Sequence, residues 1–208
     1  MLKTEKIPRI SISIGDFNGI GPEIILKSIA ESIEKKTTPV IVAPNKIIEE
    51  AQLLLRSSLN FNVVDHPEDI EDRMINILDL PHDEIVSTPG TFSIDSGKTA
   101  MQSIEKCLEL CLRGTAHAMV TAPISKEAVN LAGYEIPGHT EFLAERTNTG
   151  DVLMMLVSGE LRVSLVTTHI PIHAVAKSIS ANLIERKINI LANSLRSDFN
   201  IDHPEIAV

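Results

Sequence analysis

Apolar residues recur along this chain at two spacings, and the two alternate. Short β-rich runs at "RISISIG" (9–15), "PVIVA" (39–43), "FNVVD" (61–65), "INILDL" (75–80) and "HAMVTAP" (117–123) each predict a strand. Apolar runs of this length are long enough to cross a sheet and too short for a helix. Between them the apolar positions fall three or four apart. In residues 22–36, Ile25, Ile29 and Ile33 share one face, and Pro22 suits the first helical position. Residues 45–57 and 95–114 predict two more helices, with Asn45 as a candidate cap for the first and Gly114 as the stop of the second. Residues 81–94, with Pro81, Pro89 and Gly90, read as a loop.

The later part of the chain continues the pattern. "VLMMLVSGELRVSLVTTH" (152–169) predicts two strands joined at Ser158–Gly159 as a hairpin. Residues 173–179 and 181–199 are helical in spacing, and "PEIAV" (204–208) reads as the opening of one more strand, which suggests a partial product. Strands alternating with helices predict an α/β fold with a mostly parallel sheet. Such folds place their sites at the carboxyl ends of strands.

Composition narrows the picture. The 208 residues include no Trp, one Tyr and five Phe, so the core must be built from Ile, Leu, Val, Ala and Met. The net charge of −9 and the lack of a dense Lys/Arg cluster argue against nucleic-acid and anionic-membrane partners. No apolar run reaches the roughly 18 residues that would suggest a membrane span. The charged start, "MLKTEKIPRI", lacks a signal-peptide apolar region, so a cytoplasmic location is expected. Cys107 and Cys111 lie four apart beside Leu108 and Leu112 and read as buried thiols on one helix face.

Four stretches carry candidate chemistry. "GDFNGIGPE" (15–23) links a strand to a helix; Gly15, Gly19 and Gly21 permit a tight turn, and the helix start offers N–H groups to an anion or cofactor. It matches neither the dinucleotide fingerprint nor the P-loop, and a structural turn is the alternative. In "TAPISKEAVNLAG" (121–133), Ser125 can cap a helix whose first turn holds Lys126. A cation there opposes the helix dipole, which points to a catalytic task, against the alternative of a solvated lysine. In "IPGHTEFLAERT" (136–147), Pro137 and Gly138 make a turn before His139 and Thr140, groups suited to phosphate or a substrate oxygen. Thr140 as a plain cap is the alternative.

The fourth stretch, "VTTHIPIH" (166–173), sets two histidines four apart, as a metal pair on a helix would be. Pro171 disfavours helix at Ile170, so His169 is expected at a strand's carboxyl end and His173 in the next helix's first turn.

Taken in order, "GDFNGIGPE", "TAPISKEAVNLAGYEIPGHTEF", "MML" and "RVSLVTTHIPI" resemble the PdxA family, the 4-hydroxythreonine-4-phosphate dehydrogenases, from about residue 8 to the end. The resemblance implies an α/β/α architecture like that of isocitrate dehydrogenase, with a first domain over about 1–124, which the family completes with residues beyond Val208, and part of a second over about 125–208. It implies NAD-dependent oxidation and decarboxylation of a phosphorylated hydroxy-amino acid, assisted by a divalent metal (zinc, magnesium or cobalt), in a homodimer whose sites use both subunits. Matched residue by residue, His139 and Thr140 bind substrate and His169 is one of three metal histidines; the other two are expected beyond Val208. The 208 residues alone are therefore expected to lack activity.

The family's usual Pro-Ala-Gly in the glycine loop is Phe17-Asn18-Gly19 here, and the family does not require a histidine at 173. Other readings consistent with the motifs are a paralogue acting on phosphorylated threonate or erythronate and a non-catalytic phosphometabolite-binding or dimerisation module. Acyl transfer on a related fold is a further alternative, with no feature in its favour.

Overall fold

The computed structural model describes residues 7–32, 36–82, 84–136 and 138–208. Two compact units divide the chain, 1–138 and 139–208. In the first, strands β1 (Arg9–Ser13), β2 (Thr38–Ala43), β3 (Phe61–Val64), β4 (Ile75–Asp79) and β5 (Ala118–Thr121) form one sheet in the order β3-β4-β2-β1-β5. Every pairing in it is parallel. The connections include helices α1 (Gly21–Ser32), α2 (Asn45–Leu55) and α3 (Ile94–Leu112), and α4 (Lys126–Leu131) follows β5. The expected α/β architecture with a parallel sheet is what forms.

The strand sequences explain the layering. Successive side chains on a strand point to opposite faces. Ile41 and Ala43 of β2 join Ile14, Ile77 and the Ile25–Leu26–Ile29 face of α1 in one core layer. Val40 and Val42 turn the other way, onto Leu78, Cys107 and Leu110. Apolar on both faces, β2 can lie only inside a covered sheet. The Ser103 hydroxyl of α3 then bridges two neighbouring strands' ends, accepting from the Ile14 N–H at 3.0 Å and donating to the Val42 carbonyl at 2.6 Å.

Several local expectations need correction. Asn45 does not cap α2: Pro44 holds the cap position, and Asn45 is the first helical residue. Its N–H is satisfied from a distance, by the Asp79 carboxylate at 2.7 Å, because β2 and β4 end side by side. Of the two cysteines, Cys107 is buried and Cys111 only partly so, while Leu112 is exposed. Burial pushes the Cys107 thiol up to about 12, so it stays protonated. Ile33 lies outside the described residues.

Helix α4 packs on α3 and belongs to the first unit. Gly97 makes this contact feasible, since a Cβ there would stand 2.0 Å from the Ala128 carbonyl oxygen.

The second unit holds α5 (His139–Arg146), an antiparallel pair β6 (Met154–Ser158) and β7 (Leu161–Leu165), and helices α6 (Ile172–Ser178) and α7 (Ala181–Ser197). The hairpin turn is Gly159–Glu160, one residue later than expected, with Gly159 at φ +56°, as a two-residue turn requires. Asp151, ahead of β6, is tied to Lys187 and Arg186 of α7. Those bonds hold its carboxyl below the usual range. Residues 204–208 form no strand. Among the described residues, no helix is long and apolar enough to cross a membrane.

Gly97→Ala tests the α3–α4 contact. The helix gains intrinsic propensity of about 1 kcal/mol, but the methyl meets backbone that cannot swing aside. A net loss of about 1–3 kcal/mol is expected by urea denaturation; unchanged or raised stability would show the contact to be loose.

Candidate functional site

In the first unit the candidate residues gather at the carboxyl ends of β1 and β5. These strands are neighbours, so the glycine loop (15–21) lies against the turn after β5, and the Asp16 N–H donates to the Pro123 carbonyl at 2.9 Å. The chain leaves β1 toward α1 on one face of the sheet and leaves β5 toward α4 on the α3 side. Such divergence of neighbouring connections opens the crevice where α/β sheets hold ligands. Lys126 begins α4, exposed, behind Ser125, whose hydroxyl accepts from the Ala128 N–H at 3.2 Å.

The two candidate glycines differ in what they are for. A Cβ at Gly21 would stand 2.3 Å from the Ile14 carbonyl oxygen, so glycine is demanded by the packing of α1 against β1. Gly19 is exposed, and its nearest neighbour would be Asp16 at an ordinary 3.4 Å. Packing does not require glycine at that position. Beside it lies a mainly apolar cavity of about 520 Å³ lined by Ile20, Glu23, Glu50, Leu54 and Pro89 among others.

Asn18, which no spacing rule singles out, organises this loop. It is buried, and its Oδ1 accepts from the Thr88 N–H at 2.8 Å while its Nδ2 donates to the Ser93 hydroxyl at 3.2 Å. Its carbonyl accepts from the Gly90 N–H at 2.8 Å. The same Ser93 hydroxyl caps α3 by accepting from the Ser96 N–H at 3.0 Å. One side chain thus joins the glycine loop to residues 88–93 and to the start of α3. The departure from Pro-Ala-Gly at 17–19 was the only signal of it, and Phe17 beside it is buried in the core.

In the second unit His139 is the first residue of α5 and Thr140 the second, so Thr140 is inside the helix and not its cap. Pro137, expected in the preceding turn, lies outside the described residues. The His139 Nε2 is buried and has no hydrogen-bond partner among the described residues. Burial lowers the pKa of this imidazole from its ordinary value and keeps the ring neutral at neutral pH. A neutral ring with an orphaned buried nitrogen at a helix start is chemically ready for a polar ligand atom.

His169 lies beyond the end of β7, exposed, with φ +56°, a left-handed conformation uncommon outside glycine. Pro171 caps α6 and His173 is that helix's second residue, so the two histidines do not share a helix face. Among the described residues no three His, Cys, Asp or Glu side chains are grouped to hold a metal ion.

Similarity to known proteins decides the family. The family described as "Pyridoxal phosphate biosynthetic protein PdxA" matches residues 35–208. The chain belongs to the PdxA family. The 4-hydroxythreonine-4-phosphate dehydrogenase of Prosthecochloris aestuarii is 37% identical over 94% of this chain and 61% of its own length. The D-threonate 4-phosphate dehydrogenase of Pectobacterium atrosepticum is 34% identical over 96% of this chain and 62% of its own length. The crystal structure of 4-hydroxythreonine-4-phosphate dehydrogenase from Klebsiella pneumoniae superposes with a TM-score of 0.84 at 32% identity, over 97% of this chain and 61% of that one. This PdxA chain therefore spans about three-fifths of the length of the curated relatives it matches.

Two outcomes follow from the site's local structure. Asn18→Ala removes the acceptor of the part-buried Thr88 N–H bond and should cost about 0.5–1.5 kcal/mol, with faster amide exchange at Thr88; unchanged exchange would remove Asn18 from its role. For His139, the folded pKa lies below the unfolded value of about 6.5. The unfolded state therefore binds the proton more readily, so stability is full above that pH and falls as pH drops below it. Denaturation at pH 7.5 and 5 should show this loss, and His139→Asn should lessen it.

Proposed function

We propose that this chain carries the substrate-holding part of a dehydrogenase acting on a phosphorylated hydroxy acid. The observation that carries the reading is His139: a neutral imidazole, at the start of α5, whose buried Nε2 has no partner among the described residues. Thr140 follows it, and the N–H groups of the helix's first turn, which a helix cannot satisfy internally, lie at the same end. A phosphate or hydroxyl oxygen placed there satisfies the orphaned nitrogen, provided the ring carries its proton on Nε2. Neutrality matters, because the ring then binds without introducing a charge that burial disfavours.

Two substrates fit this chemistry, and relatives carry both names: 4-hydroxythreonine-4-phosphate, whose oxidation and decarboxylation would yield 3-amino-2-oxopropyl phosphate, and D-threonate 4-phosphate. They differ at an amino group, and no feature of the described residues selects between them. Bound there, NAD would supply a hydride acceptor, and a divalent metal (zinc, magnesium or cobalt) would supply Lewis acidity at the substrate hydroxyl.

Toward NAD, the chain offers the open backbone at Gly19, the start of α1 at Gly21, and the carboxylates of Glu23 and Glu50, which can accept from ribose hydroxyls. Toward a metal it offers the exposed imidazole of His169. Among the described residues that imidazole stands without the further ligands a metal ion needs. The proposed task of Lys126 is to carry a proton on Nζ, and the proposed assembly is a homodimer.

Calorimetry with each phosphorylated acid tests the reading. The wild-type chain is expected to bind, and His139→Asn to bind on the order of tenfold to a hundredfold more weakly, the equivalent of about 1.5–3 kcal/mol for a hydrogen bond to a charged group. Equal binding by both proteins would remove His139 from the site. NADH formation from each acid, measured on this chain extended by the remaining length of its relatives, separates the two substrates.

A further inference from the structure

Between the carboxyl end of β4 and the first turns of α3 lies a cavity of about 300 Å³. Asp95, Lys98, Thr99 and Gln102 line it from α3, and His82 and Glu84 from the loop after β4. Steps of three and four residues set the four α3 positions on a single helix face. Among the described residues, the side chains of Glu84, Asp95, Lys98, Thr99 and Gln102 form no hydrogen bond or ion pair. The spacing of Asp95 and Lys98 permits a pair, and they do not make one.

Thr99 is the strongest sign of a ligand. It is only 6% exposed and lines the cavity with a hydroxyl that has no protein partner. Buried polar groups are rarely left so. The His82 Nδ1 lies 2.9 Å from the Leu80 carbonyl oxygen. A carbonyl only accepts, so Nδ1 holds the proton and Nε2 is left for a ligand. The loop wall is anchored: Ile85 is buried in the core, and its carbonyl accepts from the Lys46 ammonium of α2 at 2.7 Å. The next depression along α3 shares Pro81 and Gln102, but there the Lys106 ammonium is paired with Glu109 at 2.9 Å.

Charge selects the ligand. One ammonium, Lys98, shares the cavity with two carboxylates, a balance that disfavours phosphate or any other polyanion. His82, Glu84 and Asp95 are not grouped to hold a metal ion. We propose that this cavity binds a small zwitterion with one carboxylate and one ammonium, of the size of a free α-amino acid. Lys98 takes the carboxylate, Glu84 and Asp95 take the ammonium, and Thr99 and Gln102 bond the remaining polar atoms. The volume is at the small end of binding sites, as such a ligand requires. None of these residues enters the dehydrogenase reading, so the two stand or fall separately.

Calorimetry of the chain with L-serine and with L-glutamine tests the proposal. At least one is expected to bind. Lactate, which lacks the ammonium, and ethanolamine, which lacks the carboxylate, should bind on the order of tenfold more weakly or less. Lys98→Gln and Glu84→Gln, both at exposed positions, should each weaken the amino acid by a similar factor while leaving circular dichroism unchanged. Absence of binding by both amino acids would overturn the proposal, as would equal binding by the two variants or by lactate and ethanolamine. Binding of magnesium or inorganic phosphate in place of the amino acids would overturn it as well.

Discussion

The first unit depends on backbones meeting more closely than a side chain allows. At Gly21 the start of α1 closes onto the Ile14 carbonyl, and at Gly97 the flank of α3 closes onto Ala128 of α4. Contacts at 2.3 and 2.0 Å from a would-be Cβ leave no room for even a methyl group. These approaches set helices on both faces of β1 and draw their ends toward one end of the sheet. The crevice beside β1 and β5 follows from that closeness. Its loops are then held by few but well-placed hydrogen bonds.

Asn18 is the clearest of those bonds. A buried amide has to find partners for its donors and its acceptor, and here it finds them on a different loop and at the cap of α3. The loop that carries Gly19 is consequently tied to residues 88–93. A substitution on either side would be felt across the pair. His139 obeys the same rule with the opposite outcome. Its buried nitrogen has no partner, so the hydrogen bond that burial demands is left for something outside the described residues. Under the proposed function, an oxygen of the bound substrate supplies that hydrogen bond.

Much of this was legible along the chain. Short apolar runs marked the strands that form among the described residues, and Ser125 could be named as a cap because its hydroxyl acts on residues three positions away. Pro171 separated His169 from His173 through a steric rule that concerns adjacent residues only. Asn45 misled for the complementary reason: its N–H partner, Asp79, is remote in sequence and becomes a neighbour only when β2 and β4 pair. "PEIAV" has a strand's composition, but a strand exists only with a pairing partner, and none is present at 204–208. Leu112 likewise continues the helical spacing of α3, yet that end of the helix carries it away from the sheet, and it is exposed.

Sequence alone determined the alternation of strand and helix, the α/β class, the motifs that mark the family, and the caps and breaks that act within a turn or two. All of these depend on side-chain size, branching and spacing between near neighbours. Tertiary structure decided that α4 belongs with the first unit, that Gly21 serves packing while Gly19 stays open, that Asn18 fastens two loops, and that the His139 nitrogen is buried without a partner. Each of these depends on distances between segments far apart in the chain, which no local pattern records.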